Sequence, residues 1–452
     1  MYPAARRLLD HVRVELDPAA RRRELAAALT RPSLEPPLRP LLFDYLWMLR
    51  RYPVADTPEA DTDELSEWLA GDRALERWRA SHSLRWLVAA AMRMANVDEP
   101  SGVDPASPAY LTLAYHRSRL LVTAGRLDDA RRELDRLLAE QGTDLAPGDR
   151  NRVLSLRTRL ATSTAEFFRS AQLVPLGVGF DFDGTLDARG FEEFRGQALF
   201  DYCATAVLDR DFTPRMLLEA LRREELAPHL RRRLALAAWA RAVLTGEDAT
   251  ALELAPLLAE LAPELRAELD PIRAAPPGEA RQFATALTFL RFPGLQPNLN
   301  SPVGRIIPIG RLSNLRDNWW CGGKALVAGT EERPLYEPAP SCGLPEGRRV
   351  TLREPAPPAF LTAEQRAQAG QMRERLRALE PATPRLARIV FAWAEAHPHD
   401  ARVPEALHRL VDAAHVGCPV QDDGTVAKAA FRLLHRRYPQ SPWAAKTPYW
   451  YR

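Results

Sequence analysis

Residues 111–140 read LTLAYHRSRLLVTAGRLDDARRELDRLLAE. Apolar side chains recur there at every third or fourth position on both sides of one glycine, Gly125. That period builds amphipathic helices, because a half-buried strand would alternate apolar and polar residues. Small Ser118 sits midway along the first helix. Ala130 sits where the second helix must approach closely, ahead of Leu134 and Leu137 on its apolar face. Two short helices joined this way need stacked neighbours to complete their burial.

The same period governs most of the chain. Residues 1–170 read as a region of successive helices at 62–70, 73–95, 108–124, 127–141 and 147–170, with Pro100, Pro105 and Gly142 as breakers. A second helical block, 171–291, opens on an extended stretch and continues with helices expected at 190–208, 213–224, 227–245, 248–261 and 277–291. Within it, 235–246 and 279–292 carry dense apolar faces suited to buried layers. Across 292–361 the pattern fails, and seven prolines fall between 331 and 360. So long an irregular segment is a linker or a functional loop system. The apolar runs IIPIG, NWWC and VTLRE favour an insert packed on the helices. Helices return in 362–452, at 362–380, 383–397, 401–416 and 424–438. The fold class that follows is mostly α, with a long irregular insert and little β. At 452 residues and 46% hydrophobic content, the chain can bury a sizeable core.

The helix pair at 111–140 resembles one unit of a tetratricopeptide repeat. PEALHRLVDAA (404–414) with AFRLLHRRYPQSPWA (430–444) again resembles helical-repeat proteins. Its Tyr-Pro-x-Ser-x-Trp-Ala turn is similar to one that joins units in tetratricopeptide proteins of the bacterial cell envelope. With FPGL (292–295) and RDNWWC (316–321), the chain looks like a group of uncharacterised bacterial proteins of this kind. The resemblance implies a solenoid-like helical repeat. The expected role is a non-catalytic scaffold of an assembly, holding a protein, peptide or envelope component on helical surfaces. Trp319, Trp320 and Arg316 are the candidate contacts, because they lie on the insert, where function concentrates. The competing role for the tryptophans is to plug the seam between helical layers.

GVGFDFDGTLD, residues 177–187, looks like the first motif of the haloacid-dehalogenase-type phosphohydrolases. That resemblance implies Asp181 as nucleophile, Asp183 as general acid and base, and both carboxylates holding Mg2+. Such a fold needs alternating strands and helices, then a lysine and a further acidic pair. Here helix follows helix, Lys324 lies in an irregular segment, and Asp422-Asp423 follows a helix. A second possibility is a Ca2+ loop, since Asp181, Asp183, Thr185, Asp187 and Glu192 approach EF-hand spacing. The glycine such a loop requires is Leu186 here. The third is an Asp-Gly turn. The turn is favoured, so no catalytic residue, metal or cofactor is expected. The alternatives are Asp181 and Asp183 as catalytic groups, and Asp181, Asp183, Asp187 and Glu192 as ligands of Mg2+ or Ca2+.

His397, His399, His408, His415, Cys418 and His435 gather near the C-terminus, with His408 and His415 on one helix face. Zinc or copper could use such a set. Without a tight ligand pair to anchor it, hydrogen-bonded packing is the better expectation. Cys321 and Cys342 could form a disulfide if the protein is exported. The charge of +3 gives no reason to expect a nucleic-acid partner, and no apolar run is long enough for a transmembrane segment. The chain has only three lysines, Lys324, Lys428 and Lys446, against many arginines. Location reads as periplasm or cell envelope if a leader was removed, and as cytoplasm if Met1 is the native start.

Overall fold

The structure is a computed structural model that describes residues 71–82, 87, 90–91, 110–141, 145, 147–174, 179–180, 186–187, 198–200, 202–222, 226–299, 312–313, 357–416 and 423–451. The chain divides into two compact units. One comprises residues 1–160 with 346–349, the other 161–345 with 350–452. The described residues of both are mostly helical.

In the first unit lie α1 (Gly71–Ser81), α2 (Tyr110–Thr123), α3 (Leu127–Gln141) and α4 (Pro147–Arg159). The α2–α3 hairpin turns where the sequence pattern places it. Gly125 adopts φ +74°, a conformation open to glycine at little cost. Its N–H donates to Val122 O at 3.0 Å, and Arg126 N donates to Leu121 O at 2.8 Å. This pair of bonds is a Schellman motif, which satisfies carbonyls the helix end would otherwise orphan. Ser118 is buried and returns its hydroxyl to Ala114 O at 2.9 Å. Ala130, Leu134 and Leu137 are fully buried against α2 and against Val153 and Leu156 of α4.

The second unit begins with α5 (Thr164–Ser170). The expected helix over 147–170 is therefore two helices. Ser163 interrupts it as an N-cap, its hydroxyl accepting from Glu166 N at 3.2 Å. Four two-residue strands follow: β1 (Gln172–Leu173), β2 (Gly179–Phe180), β3 (Leu186–Asp187) and β4 (Leu199–Phe200). β1 pairs with β4 and β2 with β3, both antiparallel. Then come α6 (Tyr202–Asp211), α7 (Pro214–Leu221), α8 (Pro228–Leu244), α9 (Asp248–Leu261), α10 (Arg266–Ala274) and α11 (Glu279–Arg291). After the insert the helices are α12 (Ala363–Arg377), α13 (Ala382–Ala396), α14 (Val403–Val416), α15 (Asp423–Arg437) and the short α16 (Pro442–Lys446).

The α8–α9 turn repeats the α2–α3 design. Gly246 has φ +75°, Gly246 N donates to Val243 O, and Glu247 N donates to Ala242 O at 2.8 Å. Counting onward from each glycine, Ala251 matches Ala130, Ala255 matches Leu134 and Leu258 matches Leu137, and all six are buried.

Residues 171–291 and 362–452 share one core. α11 packs on α13 and α14. Arg291 joins them by bonding Glu268 of α10 at 2.8 Å and Glu405 of α14 at 2.9 Å, while Arg409 also holds Glu405 at 2.7 Å. Trp393 of α13 stacks on Phe283 of α11 at 5.0 Å, and its indole N–H donates to Asp400 at 2.9 Å.

The described ends of the insert pack on this core, where Leu295, Leu299, Leu312 and Leu361 are buried. Gly294 N donates to Leu312 O at 2.7 Å, at an approach so close that a Cβ on Gly294 would sit 2.7 Å from Leu312 Cα. Arg241, on the apolar face of α8, fixes the neighbouring backbone. Its guanidinium is fully buried and donates to Pro297 O, Leu208 O, Phe212 O and the Asp209 carboxylate at 2.6–3.0 Å. Asp209 in turn accepts from Leu299 N at 2.7 Å. Burial pulls Arg241 below its ordinary pKa, with the Asp209 charge acting against that shift.

Candidate functional site

The residues singled out in the sequence lie mainly outside the described part. Asp181, Asp183, Glu192, Arg316, Trp319, Trp320, Cys321, Cys342 and Cys418 are all there. Asp187 is described in its backbone alone, opposite Gly179 in the β2–β3 ladder. Phe180 and Leu186, which flank DFDGT on either side, pair with each other. The stretch thus connects two antiparallel strands, and among the described residues no strand pair is parallel. Among those residues, too, no group of three metal-ligating side chains comes together, and no helix is long and apolar enough to cross a membrane.

Cys203, on α6, is disulfide-bonded. Its spacing to the other cysteines carries no local signal, so pattern reading passed over it.

The densest convergence of functional side chains is the C-terminal cluster. α14 does place His408 and His415 on one face, and His435 of α15 meets the same C-terminal tail. All three serve the tail. His415 Nε2 donates to Trp450 O at 2.8 Å, and His435 Nε2 donates to Thr447 O at 2.8 Å. His408 Nδ1 lies 2.7 Å from the Thr447 hydroxyl, and its Nε2 lies 3.3 Å from Asp412. Burial lowers the His408 pKa, the Asp412 charge opposes this, and the Arg409 and Lys446 charges reinforce it. In a neutral ring Nε2–H donates to Asp412 while Nδ1 accepts from Thr447. On protonation the hydroxyl can turn to Trp443 O, 2.8 Å away, so both states are satisfied. These contacts engage both ring nitrogens of His408 and Nε2 of His415 and His435.

Around the histidines lies a layer of cations on aromatic rings. Lys446 Nζ sits 4.5 Å from the Trp443 ring centre and Lys428 Nζ 5.1 Å from that of Trp450. The Arg409 guanidinium lies 5.8 Å from the Trp443 ring centre. Tyr449 and Tyr451 stand out from this layer at 59% and 62% exposure, with their rings 6.0 Å apart. Such a surface can stack apolar groups and hold anions; the Thr447 hydroxyl that meets His408 is itself buried.

No protein-family model, curated protein or solved structure matches the chain.

Proposed function

We propose that this chain is a non-catalytic helical-repeat scaffold of a bacterial assembly, binding a protein partner on its helical surfaces. One observation carries the reading: the α2–α3 and α8–α9 hairpins share a glycine turn and the same buried register beyond it. Repeat proteins assemble such hairpins into extended surfaces for partners. The Cys203 disulfide supports an oxidising compartment such as the cell envelope. Arg316, Trp319 and Trp320 remain the proposed contacts on the insert, and the fold of the enzyme alternative finds no support in the antiparallel β2–β3 pairing.

The test is photo-crosslinking in the source cells, with the reactive residue placed at exposed helical positions, followed by mass spectrometry of the adducts. A reproducible heterologous protein adduct is expected. Its loss with Trp319→Ala and Trp320→Ala at unchanged stability would place the contact on the insert. Absence of any such adduct refutes the scaffold reading. So does magnesium-dependent hydrolysis of p-nitrophenyl phosphate that vanishes with Asp181→Asn.

A further inference from the structure

We infer that α15 and the tail after α16 form a docking platform for an acidic segment of a protein partner; this rests on the scaffold reading above. The first observation is charge. Residues 423–452 contain six basic residues and one acidic one. Elsewhere arginines commonly meet carboxylates, as Arg291 meets Glu268 and Glu405, and Arg402 meets Asp400. Among the described residues no carboxylate pairs with Lys428, Arg432, Arg436, Arg437 or Lys446. The nearby pairs, His408 with Asp412 and Arg409 with Glu405, are internal to α14.

The second observation is placement. Lys428, Arg432 and Arg436 fall at four-residue intervals, so they form one stripe along α15. Arg432 and Arg436 are exposed and Lys428 is half-buried on the Trp450 ring. The tail runs beside them, held by His408, His415 and His435; α16 ends in exposed Lys446, and the tail carries exposed Tyr449 and Tyr451. The dipole of α15 accounts for cations in its last turn, Arg436 and Arg437, but not for Lys428 or Lys446. Two of the chain's three lysines are here, each set over a tryptophan.

The third observation discriminates among anions. Nucleic acid without sequence preference is bound by open aromatic faces within a strongly basic groove. Here the Trp443 and Trp450 faces already carry lysine ammoniums, and the protein's whole charge is only +3. Compact charges flanking two projecting tyrosines suit a peptide that alternates carboxylates with apolar side chains.

The experiment uses the full chain and fluorescence anisotropy of a labelled peptide rich in glutamate and leucine. Binding is expected for this peptide and not for its lysine-substituted counterpart. The triple variant Arg432→Glu, Arg436→Glu, Lys446→Glu, altered only at exposed positions, should bind at least about tenfold more weakly. Tyr449→Ser with Tyr451→Ser should weaken binding with little change in its salt dependence. No peptide binding, or binding unaffected by the charge reversals, overturns the proposal. Equal or tighter binding of an oligothymidylate of matched charge overturns it in favour of a nucleic-acid surface. A partner still crosslinked in full by the triple variant would overturn the platform and leave the scaffold reading intact, whereas a wild-type chain that crosslinks no partner would remove that reading itself.

Discussion

Replacing Arg241 with methionine should cost more than any surface change in this protein. The guanidinium is fully buried and distributes its N–H groups to three carbonyls and the Asp209 carboxylate. Methionine fills similar volume but returns nothing to those four acceptors. Breaking one partner out of a buried ion pair costs roughly 3–5 kcal/mol, because the remaining charge stays in a poor solvent. Asp209 keeps its bond from Leu299 N, which moderates the loss. A cost of about 4 kcal/mol is therefore expected in urea unfolding followed by tryptophan fluorescence, with Trp239 of α8 buried close by in sequence. Adding Asp209→Asn removes the stranded charge, so the double variant should recover about 2 kcal/mol relative to simple additivity. A single-variant cost below about 1 kcal/mol, or additive behaviour in the double variant, would refute the argument that this cluster clamps residues 297–299.

Gly294→Ala should destabilise the same unit by about 1–3 kcal/mol, because its Cβ would meet Leu312 backbone and cannot be relieved by a side-chain rotation; a denaturation midpoint equal to wild type would contradict this. Burial pushes Asp149, near the start of α4, up to about 6. Its contribution to stability is then fully present below the ordinary value of 3.8 and lost as pH rises through about 6, and Asp149→Asn should flatten that part of the pH profile of unfolding. Asp400 behaves oppositely. Burial acts to raise its pKa, but bonds from Arg402 and Trp393 outweigh it and hold the carboxyl at about 2. Its contribution, up to about 2 kcal/mol, is present above the ordinary value and lost as pH falls through about 2, so Asp400→Asn should remove an acid-labile component seen in melts between roughly pH 4 and pH 2.

Local chemistry explains what the sequence makes legible. Gly125, Ala130 and Leu134 announce the α2–α3 hairpin because helix period and glycine turn are both short-range signals. α10 is harder to see, since Pro263 stands just before it, Pro271 sits inside it, and packing against α9 and α11 supports it. Arg241 reads as a surface residue on an otherwise apolar face; its partners come from α6 and the insert, far along the chain. The helical face shared by His408 and His415 is visible in the sequence, but what the histidines face is not. Thr447 lies thirty-nine residues from His408 and declares no period. Of the sites proposed from motifs, the flanks of DFDGT are described as strand backbone, and the insert's Arg316, Trp319 and Trp320 lie outside the described residues.

The lysines over tryptophans also set the protein's covalent chemistry. Acylating reagents modify amines and leave guanidinium groups alone near neutral pH. Apart from any free amino terminus, the chain offers such reagents three side chains, and two of them belong to the C-terminal cluster. Acetylating the native protein would therefore erase charge there while sparing the many arginines that pair with carboxylates elsewhere. The indoles beneath would report the event through their own emission. A choice of cation that looks like composition alone makes this one corner of the molecule separately addressable.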